Sequence, residues 1–294
     1  MIILYEIKIE DIKEIFKERI RDTHKGDYGY IGIMGGCMEY SGAIKLANMS
    51  ASSIRSGCGV VRLIVPKNIE KIIGPYLLEQ TMYPIKDDEE NKMIFDKENI
   101  DKSLEKIKAL AIGMGWGNGK DNEKILKYIL ENKDIPIIID ADGLNTLAKL
   151  DLDILRKGKN KIILTPHLKE FERISKNSIE KIKEKPTDLA IEFAKKYNVI
   201  LLLKGSTTIV TNGDETYLVK KGCAGMATAG SGDVLSGILV GMLGYNEPNT
   251  KTIAAGAYLA GMAGELAQEK YTDISMKASD TVEMIPEAIK KIRN

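Results

Sequence analysis

The sequence has little cysteine, histidine, phenylalanine or tryptophan: three, two, four and one, respectively, in 294 residues. Cys37, Cys58 and Cys223 are odd in number and far apart. That excludes a disulfide framework and any pair at metal-binding or redox spacing, and it fits a reducing compartment. Neither sign of charge is in surplus, since 43 Lys and Arg face 42 Asp and Glu for a formal charge of +1. The basic field that drives nucleic-acid binding is therefore missing, and no nucleic-acid partner is expected. No apolar run approaches the ~20 residues of a membrane span. In Met1–Glu10 the apolar residues are interrupted by Glu and Lys, so no secretory signal is read there. A cytoplasmic location without membrane contact is the expectation. No flexible linker and no fixed-period repeat appears, so residues 1–294 read as a single domain.

What the chain does have is an ordinary globular share of apolar residues, 44%, arranged in short continuous runs separated by turn residues and helix-period stretches. The runs 29–34, 60–65, 109–112, 135–139, 162–164 and 199–203 read as buried strands of a mostly parallel sheet. Residues 207–211 and 216–219 read as a hairpin turned by Asn212, Gly213 and Asp214. Helices are expected at 41–56, 122–131, 145–148, 187–196, 232–244 and 250–270. Charged stretches such as 121–133 and 179–196 read as solvated helix faces. The fold class is α/β, a three-layer α/β/α sandwich.

The most informative segment is Gly225-Met-Ala-Thr-Ala-Gly-Ser-Gly-Asp-Val-Leu-Ser-Gly237. Gly230 and Gly232 free the backbone just before an apolar helix, so that with Ser231 its amides can face an anion. Asp233 is out of place in a site that only binds an anion. Its chemistry suits accepting the proton of a hydroxyl that attacks phosphorus, where positioning matters more than a shifted pKa. The alternative is that Asp233 caps the helix. Lys204-Gly-Ser-Thr-Thr208 follows a buried strand and joins a cation, a permissive Gly205 and the hydroxyls of Ser206, Thr207 and Thr208. It suits a nucleotide's ribose or phosphates, or equally a plain strand-to-hairpin turn.

The Gly-Ser-Gly-Asp run resembles the signature of the ribokinase-like superfamily. Other segments resemble, in order, the motifs of the ADP-dependent NAD(P)H-hydrate dehydratases: His24-Lys-Gly-Asp-Tyr-Gly29, Gly35-Gly36 with Gly42-Ala43, Gly113-Met-Gly-Trp-Gly117, Asp140-Ala-Asp-Gly-Leu-Asn145, Thr165-Pro-His-Leu-Lys-Glu170 and Leu203-Lys-Gly205. The likeness runs from about residue 23 to 270. It implies that a nucleotide, ADP or ATP, phosphorylates the C6 hydroxyl of hydrated NADH or NADPH (NADHX or NADPHX), and that loss of phosphate with a proton restores the nicotinamide.

By the same resemblance Asp233 is the base, Gly232 and its neighbours form the anion hole, and Lys204 to Thr208 meet the phosphate donor. It also sets His167 against the dinucleotide, although a histidine in a turn before a helix has a plain structural reading too. Gly113, Gly115 and Ala43 are candidates to let substrate approach the backbone, with Trp116 as a stacking surface. Gly113 to Gly117 lacks the third glycine of a Rossmann fingerprint. His24 and Lys25 either frame the first strand or reach a phosphate. Asp140 and Asn145 are second-choice site residues: the carboxylates of Asp140 and Asp142 share a side if the chain stays extended, although Asp142 can instead cap a short helix.

Kinase-like chemistry calls for Mg²⁺ on the donor's phosphates, with no side chain assigned as a metal ligand. The resemblance further implies a homo-oligomer, a tetramer, and an epimerase on a separate chain. Met114, Ala229 and Cys223-Ala224 depart from the family's usual Pro, Gly and Asn-Pro without removing a group the mechanism needs, while Ala260 stands where many members have His, which leaves the role of that position open. Two rivals remain: a small-molecule kinase of the same fold, for a thiazole or pyrimidine alcohol, that stops at phosphorylation, and a nucleotide-binding regulator without turnover.

Overall fold

The computed structural model describes residues 3–51 and 53–294. Met1 and Ile2, in the stretch searched for a signal, and Ser52, inside the expected 41–56 helix, lie outside the described residues. Ten strands form one sheet: β1 (Ile3–Glu6), β2 (Tyr30–Met34), β3 (Val60–Pro66), β4 (Thr81–Ile85), β5 (Ala109–Ile112), β6 (Ile137–Ile139), β7 (Ile162–Leu164), β8 (Ile200–Leu203), β9 (Thr208–Thr211) and β10 (Glu215–Val219). Their order is β1-β10-β9-β8-β7-β6-β5-β2-β3-β4, and β9 alone runs against the rest.

The strands read as continuous apolar runs because both faces of the sheet are covered. In β5, Ala109 and Ala111 enter one buried cluster while Leu110 and Ile112 enter the other, and β8 divides Ile200 and Leu202 from Leu201 and Leu203 in the same way. One cluster takes in residues of the helices Ser231–Leu243, Thr250–Tyr271 and Ala278–Arg293, the other those of Asn122–Asn132, Leu168–Ser175 and Pro186–Tyr197. This is the expected three-layer arrangement. Small residues bring the first group of helices close: a Cβ on Gly256 would press into the Leu239 side chain.

Several elements depart from the sequence expectation. The edge strands β1 and β4 were not foreseen; β1 is four residues long with Leu4 and Tyr5 exposed, and β4 contains Pro84, which only an edge tolerates. The Ala278–Arg293 helix was hidden by its internal Pro286. The charged stretch 179–196 is two helices, Ile179–Glu184 and Pro186–Tyr197, because Pro186 opens a new first turn. The helix expected at 145–148 is Asp142–Leu147. The hairpin turn is as expected: Gly213 takes φ +97°, and Asn212 Oδ1 accepts the N–H groups of Asp214 and Glu215 at 3.0 Å each.

β2, β3 and β4 wind one way and β5 to β8 the other, so the order reverses between β2 and β5, the place where open α/β sheets set a ligand crevice beyond the carboxyl ends. The Gly36 N–H donates to Met114 O across it at 2.9 Å. Among the described residues no helix is long and apolar enough to cross a membrane.

Candidate active site

Three loops at the carboxyl ends of β6, β7 and β8 meet the N-terminus of the Ser231–Leu243 helix. Asp140, one residue past β6, is 1% exposed, and each of its carboxylate oxygens is taken: Oδ1 pairs with Lys204 Nζ at 2.9 Å, and Oδ2 accepts from Ser236 Oγ at 2.6 Å. Lys204 Nζ also stands 3.8 Å from Glu170 Oε2. Burial works against the Lys204 ammonium, but the Asp140 and Glu170 carboxylates outweigh it and hold the group above the usual lysine value. Ser236 lies one turn past Gly232 on the same helix face. A Cβ built on Gly232 would stop 3.5 Å from Lys204 Nζ and 3.8 Å from Asp140 Oδ2, so this glycine stands against the buried ion pair.

Gly230 turns the chain into that helix at φ +95°, and Val234 N–H returns to Gly230 O at 3.0 Å. The N–H groups of Gly232 and Asp233 have no partner among the described residues, and the Ser231 hydroxyl is buried without one. Free amides at the positive end of a 13-residue helix can hold an anion. Asp233 makes no capping bond, and no hydrogen bond reaches its carboxylate among the described residues, so the capping alternative lacks its contact. Burial, then the neighbouring Asp140 charge, push its carboxyl up to about 7, with Lys204 working the other way. Beside the positioning expected of it, Asp233 thus has a carboxyl poised near neutrality, which is matched to general-base work.

A cavity of about 460 Å³ opens beside these groups. Its polar end is Lys204, Gly205, Ser206, Thr208, Ser231 and Gly232, and its apolar wall is Met226, Leu235, Ala257 and Ala260. Thr207 is not in this lining. It opens on a neighbouring cavity of about 320 Å³ with Leu168, Pro186 and Ile209. The sequence reading passed over Leu235, Ala257 and Lys221 as wall residues, and Ser236 and Glu170 as partners of the ion pair. Ser236, at i+4 from Gly232, was within reach of helix periodicity. Met226 and Leu235 of the wall lie within the 225–237 segment itself, while Ala257 and Ala260 come from the next helix and had no local signal.

The remaining candidates fall into two groups. His167 lies at the carboxyl end of β7 beside Glu170, where it caps the Leu168–Ser175 helix while its side chain is 51% exposed. Asn145 Oδ1 accepts from Arg173 Nη1 at 2.7 Å, and its amide donates to Asp142 Oδ1 at 3.2 Å. Asp140 and Asp142 do not share a side. Ala141 takes φ +49° and turns the chain, so Asp142 Oδ2 instead accepts the Gly117 N–H at 2.8 Å.

Gly113 and Gly115 are accounted for by the fold. At φ +119°, a Cβ on Gly113 would collide with Asp140 O and Gly143 N, and one on Gly115 would collide with Tyr40 O and press within 3.0 Å of Ala43 Cβ. Ala43 thus packs against the loop of Gly115. Trp116 is no stacking surface: it is 1% exposed, and its Nε1 donates to Met93 Sδ at 3.3 Å. His24 pairs with Asp27 at 3.0 Å, is 80% exposed and precedes β2, at the opposite end of the strands from these groups, so it frames the strand and reaches no phosphate here.

A mostly parallel sheet with helices on both faces is a ribokinase-like fold, and its carboxyl edge brings together a helix terminus with free amides, a half-buried lysine and an aspartate raised toward neutrality. The family model for NAD(P)H-hydrate dehydratase matches residues 31–287, and the chain belongs to that family. It is 31% identical to the ADP-dependent (S)-NAD(P)H-hydrate dehydratase of Cenarchaeum symbiosum over 96% of this chain and 95% of that one. It is 32% identical to the bifunctional NAD(P)H-hydrate repair enzyme Nnr of Moorella thermoacetica over 92% of this chain and 51% of that one, so it spans about half the length of such relatives. The ADP/ATP-dependent NAD(P)H-hydrate dehydratase of Bacillus subtilis, co-crystallised with ATP and Mg²⁺, superposes with a TM-score of 0.84 at 25% identity, over 98% of each chain.

Proposed function

We propose that this protein dehydrates the S-epimer of hydrated NADH or NADPH at the expense of ADP or ATP, repairing a damaged nicotinamide. The observation that carries the reading is Asp233: a carboxyl raised to near neutrality, free of hydrogen bonds among the described residues, at the mouth of a helix terminus with free amides. It removes the proton of the C6 hydroxyl as the oxygen attacks the donor's terminal phosphorus. The Gly232 and Asp233 amides and the Lys204 ammonium hold the charge that develops on the phosphoryl oxygens. Elimination then breaks the C6–O bond with loss of a proton from the neighbouring ring carbon, and the ring double bond of NAD(P)H forms.

The cavity fits the donor in chemistry: an apolar wall for a base, hydroxyls at Ser206, Thr208 and Ser231, and the amides at its end. Mg²⁺ fits on the donor's phosphates. Asp140, Asp142, Glu170 and Asp233 outnumber Lys204 and Arg173 around the site, yet no three acidic, His or Cys side chains among the described residues could hold a metal by themselves. The carboxylates that would face it are Asp140 and Asp233. When bound, the metal would neutralise phosphate charge. In this reading His167 and the crevice by Ala43 and Gly115 receive the dinucleotide, the enzyme works in the cytoplasm as a homo-oligomer, and an epimerase supplies the S-epimer.

The test is to incubate the purified protein with hydrated NADH, Mg²⁺ and either ADP or ATP, and to follow recovery of reduced-nicotinamide absorbance. Recovery with one donor supports the reading. No recovery with either, together with phosphate transfer to another alcohol, makes the protein a kinase.

A further inference from the structure

One wall of the cavity beside the phosphoryl site is an irregular stretch, residues 221–226, that leaves β10 at Val219 and has only the short turn Ala224–Met226 of its own before the Ser231–Leu243 helix. Lys221, Gly222, Cys223, Ala224 and Met226 face the cavity. Among the described residues, every hydrogen bond that ties 221–226 to a neighbouring secondary-structure element ends on Glu265 or Gln268 of the Thr250–Tyr271 helix. Glu265 Oε1 accepts the Gly222 N–H at 3.0 Å while Oε2 pairs with Lys221 Nζ at 2.9 Å, and Gln268 Oε1 accepts the Gly225 N–H at 3.0 Å. That carboxylate also holds the Lys221 ammonium above the usual lysine value. Gly261 and Gly264, each one turn before these two residues, lie on the same helix face and let the loop come close. A Cβ on Gly261 would collide with the Lys221 backbone, and one on Gly264 would run into Met226 Sδ. Glu265 and Gln268 themselves do not line the cavity.

We propose that Glu265 and Gln268 are positioning residues for the phosphate donor: without touching it, they hold the 221–226 loop where it walls the donor's cavity. This rests on the reading above in taking that cavity as the nucleotide's. A loop that fluctuated would be competent for only part of the time, and apparent affinity falls by that fraction. Tying it down in the free enzyme removes the ordering cost from binding. No contact joins either side chain to Asp233 or Lys204 among the described residues, so their effect belongs in nucleotide affinity and not in the chemical step.

The loop carries its own probe, because Cys223 lies in it while Cys37 and Cys58 are fully buried. The rate at which an aromatic disulfide reagent labels Cys223 therefore reads loop opening. Glu265→Met and Gln268→Met remove the acceptors at similar side-chain length. Each should weaken ADP and ATP binding by about 5–50-fold, read by calorimetry without hydrate, and speed Cys223 labelling to a similar extent. Nucleotide KM should rise with it, while kcat at saturating nucleotide and KM for the hydrate stay within about two-fold. Gln268→Glu keeps an acceptor for the Gly225 N–H and should restore affinity to within about three-fold. Glu265→Gln keeps the acceptor for Gly222 and gives up only the ion pair, so about two- to five-fold is expected, and it replaces Glu265→Met if that variant does not fold. Affinity and labelling within about two-fold of the unsubstituted enzyme in both methionine variants would overturn the proposal. A fall in kcat at unchanged nucleotide affinity would overturn it too, by putting the side chains on the reaction itself. If the unsubstituted enzyme binds neither ADP nor ATP, the reading of the cavity fails instead, while the labelling rates still decide whether the two side chains hold the loop.

Discussion

Two glycine-rich loops stand at the carboxyl edge of the sheet, and they use glycine for opposite ends. In Gly113 to Gly117 the missing Cβ atoms are filled by the protein's own chain: Asp140 O and Gly143 against Gly113, Tyr40 against Gly115, and Lys92 Nζ and Cys37 Sγ against Gly117. In Gly225 to Gly237 the decisive glycine, Gly232, meets only ordinary contacts with Lys204 and Asp140, and its own amide and that of Asp233 have no partner among the described residues. The first loop is glycine-rich because the fold is crowded there. In the second, Gly225 and Gly230 are crowded too, by Met276 and Leu46, and it is Gly232 that stands where the fold leaves an opening. Motif resemblance treats both alike, and the surroundings of each Cβ position tell where a glycine answers to the fold and where it leaves room.

The largest effect that can break this comparison is chemical. Asp233→Asn should lower kcat by about 10²–10⁴-fold while nucleotide binding, read by calorimetry, stays within a few-fold, because the base is lost and the amides remain. Activity near wild type would return Asp233 to a passive place on the helix. Next come the paired glycine substitutions. Gly113→Ala should destabilise by more than about 3 kcal/mol in denaturant unfolding, or fail to give soluble protein, since both φ and the Asp140 carbonyl forbid a side chain. Gly232→Ala should unfold within about 1 kcal/mol of wild type yet lose activity, as its Cβ meets no clash but narrows the approach to the amides. If the two swap behaviour, the distinction drawn here is wrong.

A smaller effect has a definite sign. Asp233 has an ordinary value of 3.8 and is raised to about 7 in the fold, so the folded state holds the proton more tightly than the unfolded chain. That contribution to stability is complete below about pH 4 and is lost as pH rises through 7. Asp233→Asn, which never charges, should therefore gain on wild type as pH rises. The expected advantage is about 1–3 kcal/mol at pH 8, reduced for partial solvent access, and little at pH 4. Melting curves at the two pH values check it; equal shifts at both would show that burial does not penalise the charge. Trp116→Phe should give the smallest change in chemistry, costing about 1–3 kcal/mol of stability with kcat within about two-fold, because the ring is core and not platform. A selective loss of substrate affinity would restore it to the site.

How much of this was legible in the sequence follows from the range over which each signal acts. β5 and β7 coincide with their apolar runs, and the hairpin turn announced itself through Asn212 and Gly213, because both signals are local. β1 and β4 are short, stay partly open to solvent and join the sheet only by pairing with β10 and β3, a tertiary fact. Within the site, Gly230, Gly232, Asp233 and Lys204 were readable as chemistry next to permissive backbone. The Lys204–Asp140–Ser236 connection spans 64 and 96 residues, and no spacing rule reaches that far. The elevated pKa of Asp233 was equally invisible, since burial and a neighbour 93 positions away produce it.

The most direct test of the central claim is the pH dependence of kcat/KM for hydrated NADH at saturating nucleotide and Mg²⁺. If Asp233 is the base and its environment sets its pKa, activity should fall on an acid limb centred near pH 7, approaching a tenfold loss per unit below it. A profile flat from about pH 8 down to 5 would contradict the account, because a carboxylate with the ordinary value, or no base at all, would then serve the reaction equally well.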